Sequence, residues 1–257
     1  MTYSLPKSRL EAGAIFALQR QDHPPDARMH SHLHPEGQLF GITEGLLIVT
    51  TGAGSWMTLP GQIGWIPPDM PHSARVHGTM TGWTAYIHRD LCKPLQVPAV
   101  YRMTDLSGAV LGRLLEGDGL AIGSDRQNRL VAVLIDEVAS LAPQPMYLPM
   151  PRREPLVTMA VAIAANPSST RSIDDLARAA GLSRRSLTRR FRAETGMSIV
   201  AWRHAARMQR GLELLMTGKS VTTTAHELGY DSASRFIELF RRIFGATPKQ
   251  FLKQPDL

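Results

Sequence analysis

The 257-residue sequence contains a single cysteine, Cys92, and therefore cannot form an internal disulfide bond. This favours a protein of a reducing compartment, in which the thiol is buried and inert. No apolar run approaches the roughly 20 residues that a membrane-spanning helix needs. Charged residues are interspersed through the first 30 positions, where a signal peptide would have an apolar core. The sequence thus predicts a cytoplasmic protein without a membrane partner.

Several enzyme motifs are also missing. The chain has no P-loop, no dinucleotide-binding fingerprint and no motif of a Ser/His/Asp hydrolase. We therefore expect no enzyme of these classes.

Positive charge is abundant, but it is confined to the second part of the chain. Residues 1–143 hold 11 Lys and Arg against 13 Asp and Glu, a net charge of −2. Residues 144–257 hold 18 against 9, a net charge of +9. An excess of this size favours contacts with phosphate groups, although a solvated, arginine-rich helical surface would have the same composition.

A proline-rich segment divides the chain close to the same place. The stretch APQPMYLPMPRREP has five prolines in fourteen residues, a composition that interrupts regular structure and stiffens a linker. We predict four regions: a β-barrel over residues 1–100, a helical segment over 101–143, the linker over 144–155 and an all-α domain over 156–257. The expected fold class is α+β with two domains.

The all-α region repeats one pattern at a distance of 48 to 49 positions. The first copy consists of Ile173, Ala177, Gly181, Ser183, Leu187, Phe191 and Gly196, and the second of Val221, Ala225, Gly229, Ser232, Phe236, Phe240 and Gly245. In each copy a serine, Ser172 or Ser220, is placed to cap a short helix, a glycine ends that helix, and another serine caps the next one. Ser172 and Asp175 have the spacing of a capping box. Each copy is typical of a helix-turn-helix motif.

The second helix of each copy combines a buried stripe with an outward polar face. Leu187 and Phe191 form the stripe of the first copy, and Phe236 and Phe240 that of the second. Arg185, Thr188, Arg189 and Arg192 remain outward in the first copy, which also carries Arg184, and Ser234, Ile237, Glu238 and Arg241 remain outward in the second. These faces are free to meet an anion.

The segment between the copies predicts one long amphipathic helix from Ser198 to Thr217, ended by Gly218. Its apolar residues recur at spacings of three and four and are Ala201, Ala205, Met208, Leu212 and Leu215. At 1.5 Å per residue such a helix is about 30 Å long, and successive major-groove segments on one face of B-DNA lie about 34 Å apart. A rigid helix of this length can seat both motifs on one side of a duplex, which predicts double-stranded DNA as the partner.

Residues 154–254 resemble the DNA-binding domain of the AraC/XylS family in the stretches LARAAGLSRRSLTRRFRAETG, WRHAARMQRGLELL and TTAHELGYDSASRFIELFRRIFGATPKQF. The resemblance implies that the second helix of each motif enters the major groove. The implied DNA-binding residues are Arg184, Arg185, Thr188, Arg189 and Arg192 in the first motif and Ser232, Ala233, Ser234, Ile237, Glu238 and Arg241 in the second. Some family members have an arginine in place of Glu238, and a carboxylate accepts from a cytosine amino group but does not pair with guanine.

The first hundred residues alternate short strands with turns. GLLIVTT (Gly45–Thr51), SWMTL, GWIPP and SARVH follow one another at the intervals of an antiparallel barrel or sandwich. Two stretches resemble the double motif of cupins, the first with His32, His34, Gln38 and Gly45 and the second with Gly61, Pro67 and His72. The resemblance implies a cupin-like barrel.

In cupin enzymes the matching residues bind a divalent metal, but those enzymes have a glutamate at the position of Gln38 and a glycine at that of Asp69. His30, His32 and His34 alternate, so on a strand all three would point to one face, although His30 lies outside the motif. Three interpretations remain open: a divalent metal at His32, His34 and His72, a polar ligand pocket that also includes Gln38, or imidazoles that contact only each other and water.

Trp56, Trp65, Trp83 and Tyr86 would wall a pocket for a flat ligand or belong to the core, which we expect for at least two of them.

Two apolar stripes follow the barrel, formed by Val110, Leu111, Leu114 and Leu115 and by Leu130, Leu134, Val138 and Leu141. Such stripes pack either on their own barrel or on a second subunit. In AraC-like proteins a comparable helix pairs two subunits, so the resemblance implies a homodimer through residues 126–141. The segment over 101–143 is accordingly a predicted dimerisation segment.

Together these features predict a transcription factor whose cupin-like domain senses a small molecule or a metal and controls the DNA-binding domain. The alternative is a metal-dependent cupin enzyme with an appended DNA-binding domain, against which Gln38 argues. RNA polymerase would be a further partner of an activator. The sequence does not indicate the effector, the operator or the direction of control.

Overall fold

The computed structural model describes residues 16–116, 124–144 and 147–252, and the chain divides into two compact units. The first unit is formed mainly by residues up to Tyr147 and the second mainly by residues from Leu148 onward. Parts of the predicted regions, at residues 1–15, 117–123, 145–146 and 253–257, lie outside the described residues.

The first unit is built on an antiparallel sheet. Its strands are β1 (Phe16–His23), β2 (Arg28–His32), β3 (Gly37–Thr51), β4 (Gly54–Thr58), β5 (Gln62–Ile66), β6 (His72–Ile87) and β7 (Ala99–Arg102). Strand β6 pairs with β1, β2 and β3, and β5 pairs with β3 and β7. The antiparallel unit predicted from the short strands is therefore confirmed.

Strands β3 and β6 are much longer than the predicted strands Gly45–Thr51 and SARVH. The β3–β6 pairing shifts register on either side of Glu44, next to Gly45, whose φ is +85°. A Cβ atom at Gly45 would lie 2.5 Å from the carbonyl oxygen of Thr79. This glycine marks a bulge inside a strand, where the sequence suggested the start of one.

Two helices, α1 (Asp105–Glu116) and α2 (Asp125–Ser140), follow β7. Their predicted stripes are buried in one core with the sheet, where Leu134 and Val138 are 0% exposed. The α2 stripe that we predicted to pair two subunits thus packs inside its own unit, because the barrel offers it an apolar surface. Cys92 belongs to the same core, and burial raises the pKa of its thiol to about 11.

The second unit is helical. After a short strand, β8 (Tyr147–Pro149), its helices are α3 (Leu156–Ala165), α4 (Ile173–Ala179), α5 (Arg184–Thr195), α6 (Ile199–Met216), α7 (Val221–Glu227), α8 (Ala233–Phe244) and α9 (Pro248–Phe251). The strand lies inside the predicted linker, so part of the proline-rich segment is regular. Among the described helices, none has the length and apolar composition that crossing a bilayer requires.

Helices α4 and α5, and likewise α7 and α8, form the two predicted helix-turn-helix motifs. Ser172 caps α4 in a capping box with Asp175, and Ser183, Ser220 and Ser232 cap α5, α7 and α8. Gly181 and Gly229 follow α4 and α7 with φ of +64° and +75°, the left-handed conformation that ends a helix at low cost for glycine. The predicted helix boundaries are confirmed.

Helix α6 is the continuous helix predicted between the motifs, but its buried face differs in one respect. Ala201 is exposed, whereas its neighbour Trp202 is 0% exposed. Burying the indole removes far more apolar surface from water than burying a methyl group, so the helix turns Trp202 inward.

Both motifs pack on α6. The rings of Phe191 in α5 and Trp202 in α6 lie 5.9 Å apart at right angles. Nine positions later, a Cβ atom at Gly211 would lie 2.9 Å from Leu228 and 3.1 Å from Phe236 of the second motif. The glycine therefore allows a close approach of that motif to α6.

We expect Phe240→Ala to lower the free energy of unfolding by about 3 to 5 kcal/mol. Phe240 is 0% exposed, and its ring contacts those of Phe236, Phe244 and Phe251, so its removal leaves a cavity. Urea denaturation followed by circular dichroism measures the change. Ile243→Ala in the same helix is the control, because Ile243 is 38% exposed, and we expect a loss below about 1 kcal/mol there. Equal losses for the two variants would contradict the assigned core.

Candidate DNA interface and ligand cavity

The outward residues of α5 form one exposed basic patch. Arg185, Thr188, Arg189 and Arg192 line a single surface depression together with Ser198, the cap of α6. The three arginines are exposed, and none takes part in an ion pair within the described part of the chain. The Thr188 hydroxyl lies 2.9 Å from the carbonyl oxygen of Arg184, to which it donates. The patch can therefore offer three guanidinium groups to an anionic surface.

Arg184 and Arg190 behave differently from these three arginines. Arg184 forms an ion pair with Asp174 of α4 at 3.0 Å, so part of its charge is already compensated. Arg190 is exposed, but it lines a separate depression with Arg152, Arg153 and Glu194. The sequence patterns did not single out Arg190, although it belongs to the same arginine-rich helix.

The corresponding face of α8 is closer to electrical neutrality. Ser234, Glu238 and Arg241 are exposed, and the predicted Ala233 and Ile237 are half-buried. Glu238 accepts a hydrogen bond from Arg242, one helical turn later, at 3.2 Å. Ser232 caps the helix, so its hydroxyl is already bound to the backbone NH of Arg235. The two motifs thus present different chemistry to a common partner.

A cavity of about 310 Å³ lies in the first unit. One end is polar and includes His32, His72, Gln38 and Tyr86, whereas most of the remaining wall is apolar and comprises Met29, Phe40, Ile42, Leu47, Val49, Ile66, Ala74, Met80 and Trp83. The rest of the lining is Gly41, Thr84 and four residues of β1, namely Arg20, Gln21, Asp22 and His23. Of the four aromatic residues considered above, Trp83 and Tyr86 line the cavity, Trp65 lies in the core and Trp56 stacks on Tyr147.

Three histidines meet at the polar end of the cavity. One ring nitrogen from each of His32, His34 and His72 lies within 4.8 Å of the others. The ring centroids of His32 and His72 are 4.3 Å apart, and those of His34 and His72 are 5.1 Å apart. The described residues thus bring together the three histidines of the predicted set, and Oε1 of Gln38, the fourth, lies 3.0 Å from Nε2 of His34.

Comparisons with known proteins agree with this division of the chain. An AraC-like ligand binding domain matches residues 15–142, and a helix-turn-helix domain matches residues 176–254. The chain belongs to the AraC family of transcription regulators. The regulator NimR of Escherichia coli K12 is 27% identical over 221 residues, which cover 86% of this chain and 81% of NimR. RipA of Corynebacterium glutamicum is 36% identical over 104 residues, 40% of this chain and 31% of RipA.

Among solved structures, ToxT of Vibrio cholerae with a bound unsaturated fatty acid aligns with 93% of this chain and 95% of its own, at a TM-score of 0.39 and 11% identity. The two matched family models, and not this alignment, give the regulator an N-terminal ligand-binding domain and a C-terminal helix-turn-helix DNA-binding domain.

Hydrogen bonds orient the three histidines of the regulator. Nδ1 of His32 lies 2.8 Å from the carbonyl oxygen of His30. Nδ1 of His34 lies 2.9 Å from the carbonyl oxygen of Glu36, and Nδ1 of His72 lies 2.8 Å from that of Met70. A carbonyl oxygen only accepts, so each Nδ1 carries a hydrogen and the Nε2 atom of each neutral ring holds the lone pair. Nε2 of His32 and of His72 are buried without a hydrogen-bond partner among the described residues.

This arrangement fits a metal ion. Histidines that bind a metal commonly donate their second ring NH to a backbone carbonyl, as all three do here. Burial, opposed in part by the hydrogen bond to Met70 and assisted by the neighbouring His32 and His34, lowers the pKa of His72 to about 4. His72 is therefore neutral at physiological pH, which leaves a lone pair on the ring for such an ion. Nitrogens bound to one tetrahedral ion lie roughly 3.3 to 3.5 Å apart. The three ring nitrogens lie within 4.8 Å of one another, so small side-chain rotations would bring them to a common ion.

His30 does not belong to the cluster, contrary to the strict alternation predicted from the sequence. It is exposed, and β2 ends at His32, before His34. The pairing of β2 with β6 shifts register between Met29 and His32, which breaks the period of two.

Asp69, at the position of the cupin glycine, has a left-handed φ of +58° and pairs with Arg89. Its carboxylate is thus engaged by an arginine on the surface.

Proposed function

We propose that this regulator recognises a specific sequence of double-stranded DNA by placing α5 and α8 in two successive major-groove segments. The observation that carries the proposal is the continuous helix α6, on which the first motif packs at Trp202 and the second at Gly211. Its 18 residues extend for about 27 Å. One rigid element that holds both motifs favours simultaneous binding to grooves about 34 Å apart.

The two helices would use different chemistry at the base edges. Arg185 and Arg189 have the donor geometry for the two acceptors of guanine, and Arg192 is suited to a phosphate. Glu238 would accept from a cytosine amino group, for which it must release Arg242. Arg241 is exposed and suited to a backbone phosphate. We therefore expect most of the sequence preference for guanine to come from the first motif.

For the ligand-binding domain, we infer that the cavity takes a small effector and that His32, His34 and His72 hold one divalent transition metal ion at its polar end. Imidazole nitrogens suit zinc, copper, iron and nickel. Once bound, such an ion supplies a Lewis acid. The chain's own residues orient the three histidines and exclude water from the ion. Effector binding would alter DNA binding, and the regulator would act on DNA in the cytoplasm. The related proteins are transcription regulators, and we propose no enzymatic reaction.

A homodimer through residues 126–141 remains a prediction, but its contact surface cannot be the apolar stripe that the sequence suggested. The stripe of Leu130, Leu134 and Val138 packs within its own unit, and the exposed face of α2 has Ala132, Val133 and Asp136. A second copy would have to use this face. RNA polymerase would be a partner only if the regulator activates transcription.

Arg189→Ala tests the DNA-reading role of α5. With an operator recovered by selecting genomic fragments on the purified protein, we expect affinity to fall by about 1 to 3 kcal/mol and preference to relax at one base. Arg190→Ala is the matched control, because it removes the same charge from the same helix at a position beside Glu194. Fluorescence anisotropy on operator variants measures both. If Arg189→Ala weakened binding to all sequences equally, or if the control matched it, Arg189 would not read a base.

The metal site is tested by elemental analysis of protein purified without a nickel column and incubated with zinc. We expect about one ion per chain, and loss of this ion in the double variant His32→Ala, His72→Ala, because two of the three lone pairs are removed. His30→Ala is the control and should keep the ion, since His30 is exposed outside the cluster. An unchanged metal content in the double variant would exclude the site.

A further inference from the structure

The metal site proposed above has a feature that bears on the identity of the effector: its ligand set has no negative charge. The cluster consists of three imidazoles, and no Asp, Glu or Cys of the described residues joins it. Glu36 is buried nearby, but its carboxylate lies 3.8 Å from Nδ1 of His34, the nitrogen that faces away from the cluster. The side chain that does contact a candidate ligand atom is the neutral amide of Gln38.

A divalent cation in this position would have no anionic ligand from the described part of the chain, and the nearest buried carboxylate there, that of Glu36, lies on the far side of the His34 ring. His72 is 3% exposed, and the Nε2 atoms of His32 and His72 are screened from solvent by the surrounding side chains. Moving a cation out of water is costly unless an opposite charge lies close to it, and the interaction of close charges is strong where water is excluded. An anion that binds the ion directly therefore gains much more binding free energy than a neutral molecule of the same shape.

The cavity leaves room for such an anion beside the histidines. His32 and His72 line the cavity of about 310 Å³ directly, together with Gln38. Beyond them the wall is mainly apolar, with Phe40, Ile42 and Val49 among its residues. The charged side chains of the lining, Arg20 and Asp22, are exposed residues of β1 and so do not neutralise the buried end. A ligand that fits has one charged end and a small apolar body.

We propose that the effector is a small organic anion with an apolar body, that its anionic oxygen binds the metal held by His32, His34 and His72, and that Gln38 selects this class by keeping the ligand set neutral. The inference rests on the metal site of the proposed function. Gln38 acts here as a specificity residue. It lies in β3, and its amide can turn to offer its NH₂ group to the Nε2 lone pair of His34.

The matched change is Gln38→Glu, which places a carboxylate of nearly the same shape beside Nε2 of His34. This carboxylate would bind the metal or at least compensate one of its charges. It should strengthen metal binding and weaken anion binding together. Gln38→Met has a similar volume and no charge, so it reports the effect of losing the amide alone.

The experiment loads metal-free protein with Co²⁺ and follows the visible absorption of the ion, which depends on its ligands. Cyclohexanecarboxylate and cyclohexanecarboxamide are the probes, because they differ in charge and hardly in shape. We expect the carboxylate to shift the spectrum and to bind at least about tenfold more tightly than the amide. Gln38→Glu should bind Co²⁺ more tightly and the carboxylate at least about tenfold more weakly, and Gln38→Met should keep the preference for the anion.

The outcomes separate this inference from the metal site. If Co²⁺ binds but carboxylate and amide bind alike, or if Gln38→Glu binds the carboxylate as the unchanged protein does, the anion hypothesis is wrong and the metal site stands. If Co²⁺ does not bind to the unchanged protein, the metal site is wrong and the inference fails with it.

Discussion

The packing of two helix-turn-helix motifs on one continuous helix is the constraint on which the DNA-binding unit depends. A pair of helices of 7 and 12 residues cannot bury a core of its own, so each motif needs α6 to be stable. Trp202 fills the space beside Phe191, and its indole NH donates to the carbonyl oxygen of Pro149 at 2.6 Å. Gly211 leaves the space that Leu228 and Phe236 occupy. The placement of α5 and α8 relative to each other therefore follows from the packing of both motifs on α6.

In the ligand-binding unit a different constraint decides the chemistry. Three backbone carbonyl groups fix the hydrogen on Nδ1 of His32, His34 and His72, so in each neutral ring Nε2 holds the lone pair, and Nε2 of His34 also contacts Gln38. Burial keeps His72 neutral by lowering its pKa, so the cluster is ready to bind an electrophile. Since Gln38 adds no negative charge, the net charge around a bound ion would depend on the charge of the molecule that enters the cavity. The two units thus differ in electrostatics as well as in fold, with the basic surface confined to the helices.

Local signals in the sequence were sufficient for the helical unit. Capping serines and left-handed glycines are effects of a few adjacent residues, so the boundaries of α4, α5, α7 and α8 could be predicted. The prediction of the buried face of α6 was partly wrong. Periodicity counts apolar positions but does not take into account that Trp202 buries more surface than Ala201. Nor can periodicity tell whether a stripe such as that of α2 covers its own barrel or a partner, since both surfaces are apolar.

Predictions that depended on strand pairing were less successful. Gly45 resembles a strand start, but it lies in a bulge whose position is set by the partner strand β6. The register shift between Met29 and His32 has the same origin and breaks the alternation that would have put His30 on the same face as His32 and His34. The resemblance to the two cupin motifs did imply that His32, His34 and His72 come together. The tautomers of these rings and the contact of Gln38 depend on the exact backbone conformation of residues two to four positions away, which residue type alone does not specify.

The most direct test of the shared-helix account is operator binding after changing the distance between the two half-sites. Inserting 5 or 10 base pairs rotates the second half-site by about half a turn or a full turn, and shifts it along the duplex in both cases. A rigid α6 predicts that either insertion lowers affinity by about a hundredfold or more, because only one motif can then bind. Retained affinity after the 10-base-pair insertion would indicate a flexible connection between the motifs, and unchanged affinity for both insertions would show that a single motif reads the operator.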